Sequence, residues 1–252
     1  ENEMFYGVIH LGLDFWNSSF FCGSAALMRR QYLKEIGCIQ RDSITEDAET
    51  SLVLHSRGYR SAYIARPMTC GLSPETFDDF ILQRSRWTRG MIQIFCLKNP
   101  LVMKGLHFAQ RICYANSCLF WFFGLARLIF FMAPLLYLLL GIRVYNASAS
   151  QVLAYALPHI LGSIIVTDYL YGRVRHPFFS ELYEAVQSVF LVPAIIGTLL
   201  NPRSPRFRVT PKGKNLGKEF LSPLAGPFYI LFLLSLGGMV GAAWRWWAFP
   251  AE

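Results

Sequence analysis

The sequence predicts an α-helical membrane protein joined to part of a cytosolic, mixed α/β domain, and three observations predict it. Hydrophobic residues fill 54% of the 252 positions while only 16% are charged, against roughly 25% charged in an ordinary soluble domain. The apolar residues concentrate in the second half, in runs long enough to cross a bilayer. The basic residues collect beside those runs, as the positive-inside rule expects of cytosolic loops. The formal charge of +8 therefore speaks for membrane topology rather than for nucleic acid, because no recognition motif accompanies it.

Residues 1–75 read as globular and mixed. The apolar run Phe20–Met28, with small residues at its centre, predicts a buried strand with a close backbone approach at Gly23. Ala48–Ser56 predicts a helix directly after Thr45-Glu46-Asp47, and Tyr59–Ile64 a short strand after a turn at Gly58. Residues 76–111 form an interfacial region. Within it Phe77, Phe80, Trp87, Met91 and Ile94 recur at helical spacing over 76–98, flanked by Arg84, Arg86 and Arg89. An apolar stripe edged by arginines fits a helix lying on the membrane surface, or one packed on a soluble core.

Three spans are expected. Ile112–Ile142 and Val152–Tyr171 make a hairpin in the segment 112–172, and Leu224–Trp247 spans within 224–248, with Trp244, Trp246 and Trp247 as an interfacial cluster. The first run is longer than a bilayer core and should tilt, kink near Pro134 or emerge at one end. Segment 173–223 carries Arg173, Arg175, Arg203, Arg206, Arg208, Lys212, Lys214 and Lys218, so it is expected in the cytosol. Within it Pro177–Leu200 is apolar but holds Glu181 and Glu184, which favours an interfacial helix over a fourth span. The N-terminal part then shares the cytosolic side and the C-terminus lies outside. Six cysteines show no C-x-x-C pair and no histidine cluster, which argues against zinc. The opening Glu1-Asn2-Glu3 has no basic n-region, so the chain reads as starting inside a longer protein without a signal peptide.

Four sets of residues carry candidate chemistry. Asp47 of Thr45-Glu46-Asp47 is a carboxylate able to deprotonate an attacking hydroxyl; two acids before a helix also serve as partners of its dipole. Gln83, Arg86 and Trp87 are helical neighbours, offering an amide for hydroxyls, a guanidinium for a diphosphate and an indole to stack on a sugar; an interfacial Trp among surface arginines is the plainer alternative. Phe207-Arg208-Val209-Thr210-Pro211-Lys212 is a basic loop whose Thr210 and Lys212 suit phosphate oxygens; a positive-inside loop has the same composition. Asn116 and Arg127 stand eleven apart in an apolar run, on one face of an unbroken helix, where ionisable residues face a bundle interior or an aqueous path. Phe130 and Tyr137 would line such a path or face lipid.

The order of these motifs resembles the processive family-2 glycosyltransferases: T-E-D, then Q-x-x-R-W about 35 residues later, then membrane helices, then F-x-V-T-x-K. The last motif, with Phe20-Phe21-Cys22-Gly23-Ser24 and the stretch Met4–Gly7, narrows the resemblance to the cellulose synthases. It covers essentially the whole chain. The resemblance implies a GT-A-like glycosyltransferase domain, of which residues 1–75 would be the C-terminal part. It also implies inverting transfer of glucose from UDP-glucose to a β-1,4-glucan. Asp47 would be the general base. Gln83, Arg86, Trp87, Phe20, Cys22 and Gly23 would bind acceptor and diphosphate. Phe207, Val209, Thr210 and Lys212 would form a loop closing over UDP, and Asn116, Arg127, Phe130 and Tyr137 would lie along a translocation channel.

The family's uridine- and metal-binding aspartates are not matched here, and no D-x-D occurs. The Mg2+ or Mn2+ ligands, a further membrane helix and a PilZ domain binding cyclic di-GMP are thus expected outside this chain, which alone would be inactive. The resemblance also implies a bacterial inner-membrane location and a periplasmic accessory subunit. The alternatives are a synthase of another β-glycan (chitin, hyaluronan or β-1,3-glucan), a transporter using Arg127 and Asn116, and a non-catalytic membrane scaffold.

Overall fold

The computed structural model describes residues 2–23, 25–142, 147–203 and 221–248. The chain divides into two compact units, Glu1–Phe123 with Phe190–Asn215, and Gly124–Val189 with Leu216–Glu252. The described residues are helical or extended without strand pairing. The F-x-V-T-x-K residues Phe207, Val209, Thr210 and Lys212, and Ser24, lie outside the described residues.

The first unit opens with α1 (Asn2–Met4), a π-helical turn (Phe5–Ile9) and α2 (His10–Phe15), followed by α3 (Arg30–Glu35), α4 (Glu46–Ser56), α5 (Phe77–Leu97) and α6 (Phe108–Leu119). Each main helix starts and stops for local reasons. Helix α4 carries Glu46, Asp47 and Glu49 in its first turn, where the helix dipole favours anions. It ends at Gly58, whose φ of +85° lets the Tyr59 and Gly58 amides return to the Leu54 and His55 carbonyls. Helix α5 is capped by Thr76, whose hydroxyl accepts from the Asp79 amide. His107 and Gln110 form a reciprocal cap on α6. The core is where these three helices meet: Ala48 and Leu52 of α4, Met91 and Ile94 of α5, Tyr114 and Cys118 of α6, with Leu106 and Trp121.

The two expected strands are absent among the described residues. Residues around Phe20 and over 59–64 are extended, but side chains rather than a neighbouring strand take their amides. Asn17 Oδ1 accepts from the Ser61 amide at 3.0 Å and Asp14 Oδ1 from the Tyr63 amide at 2.7 Å. Ser51 Oγ faces the Phe21 amide at 3.4 Å. Gly23 also has a different role from the close approach expected of it. A side chain there would meet no atom within 4 Å, and it is the φ of +89° that calls for glycine.

The long apolar run expected over Ile112–Ile142 is divided. A 3-10 turn, Phe120–Phe122, separates α6 from α7 (Phe123–Leu140). Pro134 stays inside α7. Helix α6 contributes Tyr114 and Cys118 to the globular core, and α7 alone, at about 27 Å, comes close to a bilayer core of about 30 Å. The spacing that put Asn116 and Arg127 on one face assumes an unbroken helix, and the turn removes that assumption.

Helix α8 (Ala149–Tyr171) has no buried residue, and Leu153, Ile165 and Val166 are among its exposed side chains. An apolar helix with no protein cover is stable in lipid, not in water. Then follow α9 (Pro177–Leu200), a 3-10 turn (Pro223–Ala225) and α10 (Gly226–Ala248). Four helical stretches are long and apolar enough to cross a membrane: Phe108–Leu140, Ala149–Tyr171, Phe178–Leu200 and Pro223–Ala248. In the second unit α7 and α10 touch through a small residue. A Cβ on Gly238 would lie 3.2 Å from Leu138, and Arg245 donates to the Leu138 carbonyl at 2.8 Å.

Candidate active site

Three of the sequence motifs converge in the first unit, around Asp47. Thr45 is the N-cap of α4, so Asp47 occupies the first helical turn with its carboxylate at the positive end of the dipole. Its Oδ1 accepts from the Ala48 amide at 2.8 Å. Burial raises the Asp47 pKa above its ordinary value. The Ala48 amide and the Arg86 guanidinium pull against that rise, and neighbouring Glu46 adds to it. Asp47 and Arg86 of Q-x-x-R-W therefore lie within electrostatic reach of one another.

The Phe20–Gly23 segment reaches the same place by two routes. Ser51 of α4 donates to the Asp47 carbonyl at 3.0 Å, and its Oγ faces the Phe21 amide, so one hydroxyl ties the segment to the T-E-D turn. The thiol of Cys22 is pushed up to about 12, first by burial and then by the Asp47 charge, so it stays a neutral thiol. Tyr6 is likewise pushed up to about 12 by burial, with smaller contributions from Cys22, Tyr63 and Asp47. Behind Cys22 lies His10. Its Nδ1 is 3.0 Å from Ser19 Oγ and its Nε2 is 3.6 Å from Cys22 Sγ. Phe5 and Phe20 meet the His10 ring edge-on at 4.5 and 5.1 Å. Burial lowers the His10 pKa to about 4 against a weaker opposing pull from Asp14, so the ring is neutral at physiological pH. Sequence reasoning missed His10 because its partners lie nine and twelve positions away with no local pattern.

On α5, Gln83, Arg86 and Trp87 are half-buried. Trp87 packs on the core and meets Trp121 edge-on at 6.3 Å. Arg84, which sequence reasoning treated only as a surface cation, lies 5.1 Å from both the Phe80 and the Trp87 ring centroids. The helix and the T-E-D turn touch at Gly90, where a Cβ would fall 2.5–2.7 Å from Thr45 side-chain and backbone atoms. A glycine inside an otherwise helical pattern is the one sequence signal that marks such an approach. Beneath the turn, the buried Glu49 carboxylate accepts from the Ser43 amide at 2.8 Å and its hydroxyl at 3.0 Å, and faces Lys98 Nζ at 2.6 Å.

The residues expected along a channel are placed as follows. Asn116 is exposed on α6, while Phe130 and Tyr137 of α7 are 70% and 49% exposed. Arg127 is fully engaged inside the second unit. It pairs with Glu181 and bonds Glu184 at 2.8 Å, and Arg175 shares Glu184 at 3.3 Å. Arg127, Phe130 and Phe131 line a cavity of about 320 Å3 together with Phe178 and Glu181. Among the described residues no group of three or more His, Cys, Asp and Glu could hold a metal ion.

The model of glycosyl transferase family group 2 matches residues 1–167. The cellulose synthase catalytic subunit (UDP-forming) of Pseudomonas fluorescens (strain SBW25) is 45% identical over 240 residues, 95% of this chain and 32% of that protein. Cellulose synthase 2 of Novacetimonas hansenii is 41% identical over 251 residues, 98% of this chain and 16% of the relative. The catalytic subunit of Komagataeibacter sucrofermentans is 41% identical over 95% of this chain and 32% of its own length. The chain spans a third or less of these relatives. The matched residues 1–167 are more than half of the chain and include both T-E-D and Q-x-x-R-W, which meet in the first unit: the chain belongs to family group 2 of the glycosyl transferases.

Proposed function

We propose that the protein carrying this chain transfers glucose from UDP-glucose to the 4-hydroxyl of a growing β-1,4-glucan and exports the product between its membrane helices. The observation that carries the reading is that the T-E-D turn at the start of α4 touches the Q-x-x-R-W helix at Gly90 and is tied to the Phe20–Gly23 segment through Ser51, with Asp47 within electrostatic reach of Arg86 and Cys22. Asp47 takes the proton of the 4-hydroxyl. That oxygen forms a bond to the anomeric carbon from the face opposite the nucleotide, the carbon–oxygen bond to UDP breaks, and UDP leaves with the electron pair. A carboxylate whose pKa is raised by burial is a stronger base than one in water. Arg86 offsets the charge that builds on the diphosphate. Trp87 offers an apolar ring to the terminal sugar, and the neutral Cys22–His10 pair sits beside Asp47 without adding charge. The metal would assist departure of UDP from ligands other than the described residues.

The sugar and the linkage rest on likeness to proteins named cellulose synthase. An α/β GT-A domain, closure of the Phe207–Lys212 loop over UDP, and activation by cyclic di-GMP through a PilZ domain belong to the same proposal on the strength of the motif order. So do a periplasmic accessory subunit and an inner-membrane location with the globular unit cytosolic and the C-terminus periplasmic. The basic residues of 173–223 support that orientation. Helix α9 is read as interfacial. Phe190 meets Phe77 edge-on at 5.9 Å, and Leu191, Ile195 and Thr198 are buried in the globular unit.

The test is incorporation of radiolabelled glucose from UDP-glucose in membrane vesicles holding the native polypeptide, with Asp47→Asn alongside. Cellulase-sensitive polymer from wild type and none from the variant upholds both the reaction and the base. No polymer from wild type with metal and cyclic di-GMP supplied overturns the sugar assignment.

A further inference from the structure

The geometry points to Gln93 as a positioning residue for the base: its side-chain amide fixes the turn carrying Asp47 to the helix carrying Arg86 and Trp87. This rests on the reading of Asp47 as general base. Gln93 belongs to neither motif, yet it is 3% exposed, and a buried amide needs partners for both ends. Its Oε1 accepts from the Ile44 amide at 2.9 Å, directly before T-E-D, and its Nε2 donates to the Pro202 carbonyl at 2.8 Å, just beyond α9.

The two bonds have different roles. An amide held by one bond can flip end for end. With Pro202 occupying the NH2 group, Oε1 has to face Ile44. Gln83, Arg86, Gly90 and Gln93 stand at spacings of three, four and three, so they form one stripe on α5. Thr45 presses on the bare Cα of Gly90 in the middle of that stripe, and its hydroxyl lies 3.8 Å from Met91 Sδ. A steric contact alone sets distance from the helix axis but not height along it. The directional bond from Ile44 to Gln93, about 10 Å of helix rise beyond Arg86, sets the height. Together they fix where Asp47 stands relative to Arg86, and a misplacement near 1 Å costs about 10²-fold in rate.

The test uses the native polypeptide in vesicles with Gln93→Met, which keeps the volume and removes both bonds, and Gln93→Glu, whose carboxylate still accepts from Ile44. Polymer synthesis from UDP-glucose is measured across pH, beside hydrogen exchange of the amides at 44–47. Gln93→Met should lower kcat about 10–100-fold. It should also displace the acid limb of the pH profile, because Asp47 changes its setting among Glu46, Arg86, Cys22 and Tyr6. Exchange at 44–47 should quicken, and Gln93→Glu should recover part of the rate and most of the protection. Equal scaling of the rate at every pH by both variants, or unchanged exchange in Gln93→Met, overturns the proposal. If wild type makes no polymer but exchange responds as described, the sugar assignment fails while the tether stands.

Discussion

Replacing Glu49 by alanine tests how the T-E-D turn is held from below. The carboxylate is fully buried, and three donors converge on it: the Ser43 amide, the Ser43 hydroxyl and Lys98. Hydrogen bonds to a charged group contribute about 1.5–3 kcal/mol each. Removing one member of a buried ion pair costs about 3–5 kcal/mol because the other is left without its partner. Lys98 has a fallback, since Asp42 lies 3.1 Å away and Gln40 Oε1 2.9 Å away. That places Glu49→Ala at the lower end, about 3 kcal/mol. For a chain of this size each kcal/mol lowers the melting temperature by about 2–4 °C, so the expected drop is about 6–12 °C. The assay is thermal unfolding of the purified protein in detergent, followed by tryptophan fluorescence. Glu49→Gln with Lys98→Met removes the charge pair while leaving an acceptor for Ser43, and should recover at least half the loss. A Glu49→Ala protein melting within about 2 °C of wild type would refute the reasoning.

Three further outcomes follow from the geometry. Gly90→Ala, which in an exposed helix would add up to about 1 kcal/mol, should here cost about 1–3 kcal/mol by overpacking Thr45 and slow polymer synthesis; a raised melting temperature would contradict it. His55, bonded through Nδ1 to the Tyr114 hydroxyl at 2.7 Å and through Nε2 to Ser61 at 2.9 Å, has its pKa lowered by burial from 6.5 to about 4. The unfolded chain therefore takes up the proton first. This group's contribution is complete above pH 6.5 and is lost as pH falls toward 4, by about 3 kcal/mol in total; His55→Gln should flatten that part of the stability–pH curve. Cys38, an exposed free thiol of the globular unit, should react with a membrane-impermeant maleimide in inside-out vesicles and stay unlabelled in intact spheroplasts; the reverse pattern would invert the proposed orientation.

The helices were legible because their signals are local. An acidic first turn and a C-terminal glycine bracket α4, and Thr76 with the 3.6-residue apolar stripe brackets α5. Pro177–Leu200 came out with the expected ends. What sequence could not separate is apolar surface facing lipid from apolar surface facing protein. Tyr114 and Cys118 sit in a run as apolar as the rest of 112–142, yet they complete the globular core. The extended segments misread as strands failed for a related reason. Strand residues and residues bonded to side chains such as Asn17 and Asp14 share the same extended backbone, and only tertiary partners distinguish them. In the site, the residues proposed to carry the chemistry stand in motifs. Of the residues that hold them in register, Gly90 leaves only the trace of a glycine inside a helical pattern, and Ser51 and Gln93 leave none, since each acts through a partner far away in sequence.

The ionic cluster on α7 and α9 has a consequence for how the protein is made. Arg127 emerges from the ribosome ahead of Glu184, its partner 57 positions later. At about 5–20 residues per second, the arginine waits about 3–11 s for its carboxylates. A lone cation at the bilayer centre is penalised by about 2.5–3.5 kcal/mol, but Arg127 is the fifth residue of α7 and avoids that cost by staying near the headgroups. Helix α7 can thus linger at the headgroup level or in the translocon until α9 is synthesised. Biogenesis, more than the finished structure, is where loss of Glu181 and Glu184 together should be felt first, as protein that is translated at the normal rate but degraded before it reaches the membrane.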